Sequence, residues 1–257
     1  MTVENMLMVY AGATDQGRVR KNNEDSILMS EFDHEEILLL VVADGVGGNA
    51  GGEVASKMTV DFISTTVKKA VIEANSGEGY HDNWLESTLL RAITDANLQL
   101  IEQQQLHQGL SEMATTVVAL LIRNNKIALS HLGDSRCYQF TSPELKQITE
   151  DHTVLQTLLN QGKINQREFA ASPMHHMISK AVGSSPNIKI TVENLAFEKN
   201  TCYILCSDGL TDCLNDEQIQ RILMRNETLE KTVNALINSA NDHGGVDNIS
   251  VVLVNNN

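Results

Sequence analysis

The sequence has 257 residues, with 33 acidic against 19 basic side chains and a formal net charge of −14. Such a surface repels nucleic acid and anionic membranes, which sets both aside as partners. Apolar residues make up 42% of the chain and aromatics only 4%, so Val, Ile, Leu and Met must fill the core.

Met6–Thr14, Ser26–Phe32 and Glu36–Ala43 read as three strands, apolar and β-rich, with Gly- and Asn-containing breaks between them. Glu53–Ala74 is expected to be a helix, with Val54, Met58, Phe62 and Val67 roughly on one face. Two glycines in Asn75–Tyr80 break it. Asn83–Gln108 is a second long helix with Leu85, Leu89, Ala92, Ile93, Ala96 and Leu100 as its buried stripe. A meander follows over Ala114–Arg123, Lys126–Leu132 and Arg136–Phe140, with a tight turn at Asn124–Asn125. Asp151–Ala171 reads as short helices broken near Gly162. Ile188–Leu195 and Thr201–Ser207 are strands, Asp216–Arg225 and Leu229–Asn241 helices, and Asn248–Val254 a closing strand. Strands come in runs, which favours antiparallel sheets over a doubly wound parallel one.

Met1–Tyr10 lacks a basic segment and contains Glu4, unlike a secretory signal. The longest apolar stretch, Ile37–Ala43, falls far short of the ~20 residues of a membrane helix. Cys137, Cys202, Cys206 and Cys213 form no CxxC pair, which argues against zinc and for reduced thiols in a cytoplasmic protein.

Five short islands carry the chemistry: RKNNED at Arg20–Asp25, DGVGG at Asp44–Gly48, GDSR at Gly133–Arg136, SDGL at Ser207–Leu210 and DNIS at Asp247–Ser250. Most follow an apolar run. Carboxylates at strand ends can converge and bind hard divalent cations through oxygen. Because the islands span Glu24 to Asp247, one site draws on both ends of the chain, which favours a single domain over 1–257. Residue by residue, other readings stay open. Asp44–Gly45 also suits a plain strand-end turn. The DGVGGNAGGE stretch also suits a phosphate-cradling loop, although it lacks the Lys-Ser/Thr of a P-loop.

In this order, RxxNED, DGxGG, GDSR, SDGL and DNIS resemble the motifs of the PP2C (PPM) family of metal-dependent serine/threonine protein phosphatases, bacterial type, over about Ala11 to Val254. The resemblance implies an α+β fold: an α-β-β-α sandwich of two stacked antiparallel sheets flanked by helices. It implies two Mn²⁺ or Mg²⁺ ions and a third, weaker site. Asp208 and Asp247 would bind the first metal, Asp44 would bridge, and the Gly45 carbonyl with Glu24 would serve the second. Asp134 would share the third with Asp208, and Asp25 would orient waters from behind. Arg20 would grip the phosphate, which a guanidinium does through two oxygens at once. Asp44, Asp208 and Asp247 would thus carry the hydrolysis of phosphoserine and phosphothreonine in proteins by metal-activated water, without a phosphoenzyme.

Some members carry a general-acid histidine where this chain has Val46. That leaves His152, His243 or a metal-bound water to protonate the leaving group. The segment 151–186 resembles the flap subdomain of bacterial relatives. The implied setting is a cytoplasmic monomer opposing a serine/threonine kinase. Two alternatives remain: a pseudophosphatase binding module, and a two-metal phosphoesterase for small molecules.

Overall fold

The structure, a computed structural model, describes residues 8–33, 36–46, 51–172, 174 and 177–256. In chain order it contains β1 (Met8–Asp15), β2 (Asp25–Phe32), β3 (Ile37–Val46), α1 (Gly51–Glu73), α2 (Trp84–Leu106), β4 (Ala114–Thr115), β5 (Val117–Arg123), β6 (Lys126–Leu132), β7 (Arg136–Thr141) and β8 (Glu144–Gln147). Then come α3 (Val154–Asn160), α4 (Gln166–Ala171), β9 (Val192–Ala196), β10 (Thr201–Cys206), α5 (Asp208–Thr211), α6 (Asp216–Leu223), α7 (Leu229–Asp242) and β11 (Ile249–Asn256).

The uninterrupted apolar run of β3 dictates the layering. Successive side chains on a strand point to opposite faces. Ile37, Leu39, Val41 and Ala43 turn one way, into a core shared with Ile63 and Val67 of α1 and Leu89 and Ile93 of α2. Leu38, Leu40 and Val42 turn the other way and meet Tyr203, Leu205 and Val252 of a second sheet. Each fully buried Leu or Ile contributes roughly 1.5–3 kcal/mol by leaving water. A strand with no polar face is stable only when both faces are covered, here by helices and by a sheet.

The first sheet runs β2-β3-β5-β6-β9, with β4 paired to the far end of β3. The second runs β1-β11-β10-β7-β8. Every ladder is antiparallel. Ile219, Val233 and Leu236 of α6 and α7 pack on the outer face of the second sheet against Ile204, Val251 and Leu253. The fold is the expected α-β-β-α sandwich.

Several boundaries differ from expectation. Met6–Leu7 of the first predicted strand lie outside the described residues. The strand expected over Ala114–Arg123 is split at Thr116, whose N–H and hydroxyl serve Asp44 instead of a ladder. The strand expected from Ile188 begins at Val192, because Ile188 and Ile190 pack against the helical core without pairing. The edge strand β8 and the one-turn helix α5 carry too little apolar pattern to be read locally. Helix α1 ends in a wide π-helical turn over Ala74–Glu78, where Gly77 takes φ 129°. The break near Gly162 is present, with that glycine at φ 66° between α3 and α4.

Candidate active site

Asp25 and Asp44 face each other as register partners on β2 and β3. Asp25 belongs to the first sheet and is buried. Its Oδ2 accepts hydrogen bonds from Ser207 Oγ at 2.8 Å and Ser250 Oγ at 2.6 Å, both from the second sheet's side. The site therefore sits on the seam between the sheets.

The backbone of Asp44 is clamped on both polar groups. Its carbonyl accepts from Thr116 N–H and Thr115 Oγ1, each at 2.8 Å, and its N–H donates to Thr116 Oγ1 at 3.0 Å. Thr116 Oγ1 also lies 2.7 Å from Ser135 Oγ, which fixes the turn bearing Asp134. That turn needs Gly133, at φ 104°, since a Cβ there would drive into the Thr116 side chain.

Asp208 opens α5 directly after β10, and its carbonyl accepts the Asp212 N–H one turn on at 2.7 Å. Asp247 stands just before β11 and forms an ion pair with Arg20. Asn248 seats the loop that carries Arg20 and Glu24. Its Oδ1 accepts Glu24 N–H at 2.8 Å, and its Nδ2 donates to the Gln16 and Asn22 carbonyls at 2.9 Å each. Arg20, Glu24, Asp44, Asp134, Asp208, Asp212 and Asp247 consequently line one cleft of about 420 Å³.

Crowding sets the electrostatics. Burial, then neighbouring Asp25 and Asp208 and a hydrogen bond to Asp208, push Asp44 well above the usual carboxylate range. Burial lifts Asp25 to about 7 despite the two serine hydroxyls, and lifts Asp134 to about 7 with help from Asp208. Glu24 is raised by burial, against the pull of Arg20. Burial alone would lower Arg20, but Asp247, Asp44 and Glu24 together raise it. Burial is the leading cause for each of these carboxyls, and like charge from its neighbours adds to it.

The protein phosphatase 2C family model matches residues 15–253. The chain belongs to the protein phosphatase 2C family. It is 31% identical over 244 residues to a serine/threonine phosphatase stp of Listeria innocua, covering 95% of this chain and 94% of that one. The serine/threonine phosphatase of S. agalactiae superposes with a TM-score of 0.86 at 29% identity, covering 97% of this chain and 100% of that one. The catalytic domain of the serine/threonine protein phosphatase PstP, in complex with two manganese ions, superposes with a TM-score of 0.79 at 34% identity, over 96% and 97% of the chains.

Within this 2C-type fold, six residues singled out from sequence share the cleft lining: Arg20, Glu24, Asp44, Asp134, Asp208 and Asp247, together with Gly45 and Val46. Asp25 lies behind them. Gly47 and Gly48 of the DGVGG island lie outside the described residues. Neither candidate histidine lines the cleft. His152 stacks flat on His131, ring centroids 4.4 Å apart, and its Nδ1 faces Gly133 N–H. His243 caps the end of α7, against Ser239 and Gln218. Arg136 of the GDSR island binds Asp151 rather than the cleft acids. Sequence reasoning missed Thr115, Thr116 and Asp212, and it quoted Ser207, Asn248 and Ser250 within the SDGL and DNIS islands without giving them a role. Asp212 stands one turn after Asp208, but the one-turn helix α5 that sets this spacing was not readable locally.

The donor set suits hard divalent cations. It is all oxygen, like charges crowd one another in it, and Asp25 Oδ1 is buried without a hydrogen-bond partner among the described residues. Gly45 and Gly52 approach so closely that a Cβ on Gly45 would strike the Gly52 carbonyl, which keeps this backbone free for oxygen ligation. The cluster is open: no three of the described acids are drawn into a closed cage, and Arg20 balances Asp247.

Proposed function

We infer that this chain hydrolyses phosphoserine and phosphothreonine esters in proteins, using two Mn²⁺ or Mg²⁺ ions. The observation that carries the reading is the single cleft in which acids from five distant islands meet one arginine, in a chain of the 2C family. Asp44, Asp208 and Asp247 would hold the first ion, Asp44, Glu24 and the Gly45 carbonyl the second, and Asp134 with Asp208 a weaker third. When bound, such ions activate water and neutralise charge on the phosphoryl oxygens.

The chain's own groups do the rest. Ser207 and Ser250 hold Asp25 in place through its Oδ2, behind the cleft acids. Arg20, half exposed, is tethered by Asp247. Once that carboxylate is otherwise neutralised, the guanidinium is free to grip two phosphate oxygens. With Val46 at the cleft and no histidine among its described lining, water protonates the leaving alkoxide.

The segment 151–186 is read as a flap within one domain, and Ile178 brings it to the cleft wall. We further propose a cytoplasmic, monomeric enzyme that counteracts a serine/threonine kinase in signalling. No helix among the described residues is long and apolar enough to cross a membrane.

The test is hydrolysis of a phosphothreonine peptide by metal-stripped protein, with and without Mn²⁺ or Mg²⁺. Turnover should appear with metal, vanish with EDTA and be lost in Asp44→Asn. Full turnover after stripping, or faster turnover of nucleotides or DNA than of phosphopeptide, would reject the reading.

A further inference from the structure

The cleft is not uniformly charged. Val46, Ile178 and Val246 line it together with the carboxyls. Val46 is 41% exposed and Val246 48%, while Ile178 is half-buried. A lone exposed aliphatic means little, but three around one acidic cleft call for an explanation. They come from three separate parts of the fold: the end of β3, the approach to the closing strand, and the segment after α4. The backbone bond from Arg18 N–H to Gly245 O, 2.7 Å, also ties the segment of Val19, 66% exposed, to that of Val246.

We propose that Val46, Ile178 and Val246 form an apolar lip that selects phosphopeptides carrying an aliphatic side chain next to the phosphoresidue. The inference rests on the phosphatase reading above and adds what the substrate must look like around its phosphate. A substrate whose phosphate reaches Arg20 enters the cleft that these three side chains line. Charge narrows the choice. Six carboxyl groups line the cleft, and the cations and Arg20 that offset them are already engaged by the substrate's phosphate. An acidic neighbour is therefore repelled. A neutral polar neighbour would lose water to the lip without a hydrogen-bond partner in return. An aliphatic one gains by covering it.

The experiment compares phosphothreonine peptides that differ only in the residue before or after the phosphothreonine, set to Leu, its near-isostere Asn, or Glu. The kcat/KM values are measured with metal-loaded protein. Leu should exceed Asn by roughly three- to tenfold on at least one side, and Glu should be the poorest. Val246→Asn or Ile178→Asn should bring the Leu-to-Asn ratio towards one, whereas Val246→Leu should retain it. Because the ratio is internal to each variant, a loss of folded protein does not imitate the effect. Equal turnover of all peptides, or an unchanged ratio in both Asn variants, would overturn this inference alone. Absence of turnover for every peptide would overturn the phosphatase reading and the inference with it.

Discussion

His152 sits beside the GDSR turn, yet its environment suits it to holding that turn rather than to donating a proton. Burial, then His131 and Lys180, lowers it to about 4, so the ring is neutral at pH 7. Its Nδ1 is turned to Gly133 N–H. His152→Ala should therefore change kcat on phosphopeptides by only a few-fold, while lowering the melting temperature. A loss of about 10²–10⁴-fold, the range for a removed general acid, would contradict this. Asn248 is the opposite case: it touches no substrate and yet matters to the cleft. Asn248→Ala removes three hydrogen bonds to the loop of Arg20 and Glu24 and should cost about 2–3 kcal/mol in urea unfolding, with a lower kcat/KM. Asn248→Asp keeps the acceptor for Glu24 N–H but turns a buried carboxylate oxygen onto the Gln16 and Asn22 carbonyls, so its stability should fall below that of Ala.

Between elements, Arg136 is the main tie. Its fork grips Asp151 through Nε at 2.9 Å and Nη2 at 2.7 Å, linking β7 to the segment that leads into α3. Its Nη1 donates to Tyr138 Oη at 3.0 Å, and that hydroxyl reaches Asp216 at the start of α6. Arg136→Ala leaves Asp151 without its fork in a mostly buried place and should cost about 2–4 kcal/mol in chemical denaturation. Arg136→Lys should not restore it, because an ammonium cannot make the paired contact. The same contrast explains what was legible in the sequence. Strands such as β3 and β10 announce themselves by apolar runs, and the acids by their place after those runs. The stacking of the sheets follows from both faces of β3 being apolar, but the run alone does not say whether a sheet or a helix covers each face. Thr116, Ser207, Ser250 and Asn248 escaped because they act through hydrogen bonds to residues far away in sequence, as when Asn248 reaches Glu24 across 224 positions. No local pattern encodes such a pairing.

For the molecule as a whole, the crowded carboxyls tie stability to pH. Asp25 and Asp134 keep their protons to about pH 7 in the fold, against 3.8 for the free group. Stability contributed by the protonated forms is full below pH 3.8 and is lost as pH rises towards 7; Asp44, also raised, acts in the same sense. His131 and His152, both lowered, act in the other sense only below about 6.5. Metal-free protein should therefore melt roughly 5 °C lower at pH 8.5 than at pH 6.5 by calorimetry. Asp25→Asn should shrink the difference, and saturating Mn²⁺ should remove it. The strand order carries a separate consequence, for biosynthesis. The last strand in sequence, β11, is inserted between β1 and β10 and completes the second sheet from within. On the ribosome, β1 gains its sheet neighbour only after β11, more than 200 residues on, has been made. The residues that seat the Arg20 loop, Asp247 and Asn248, emerge immediately ahead of that strand. Sheet closure and assembly of the cleft thus depend on the same strand, and a chain cut short before residue 247 should show no turnover of a phosphopeptide that the full chain hydrolyses.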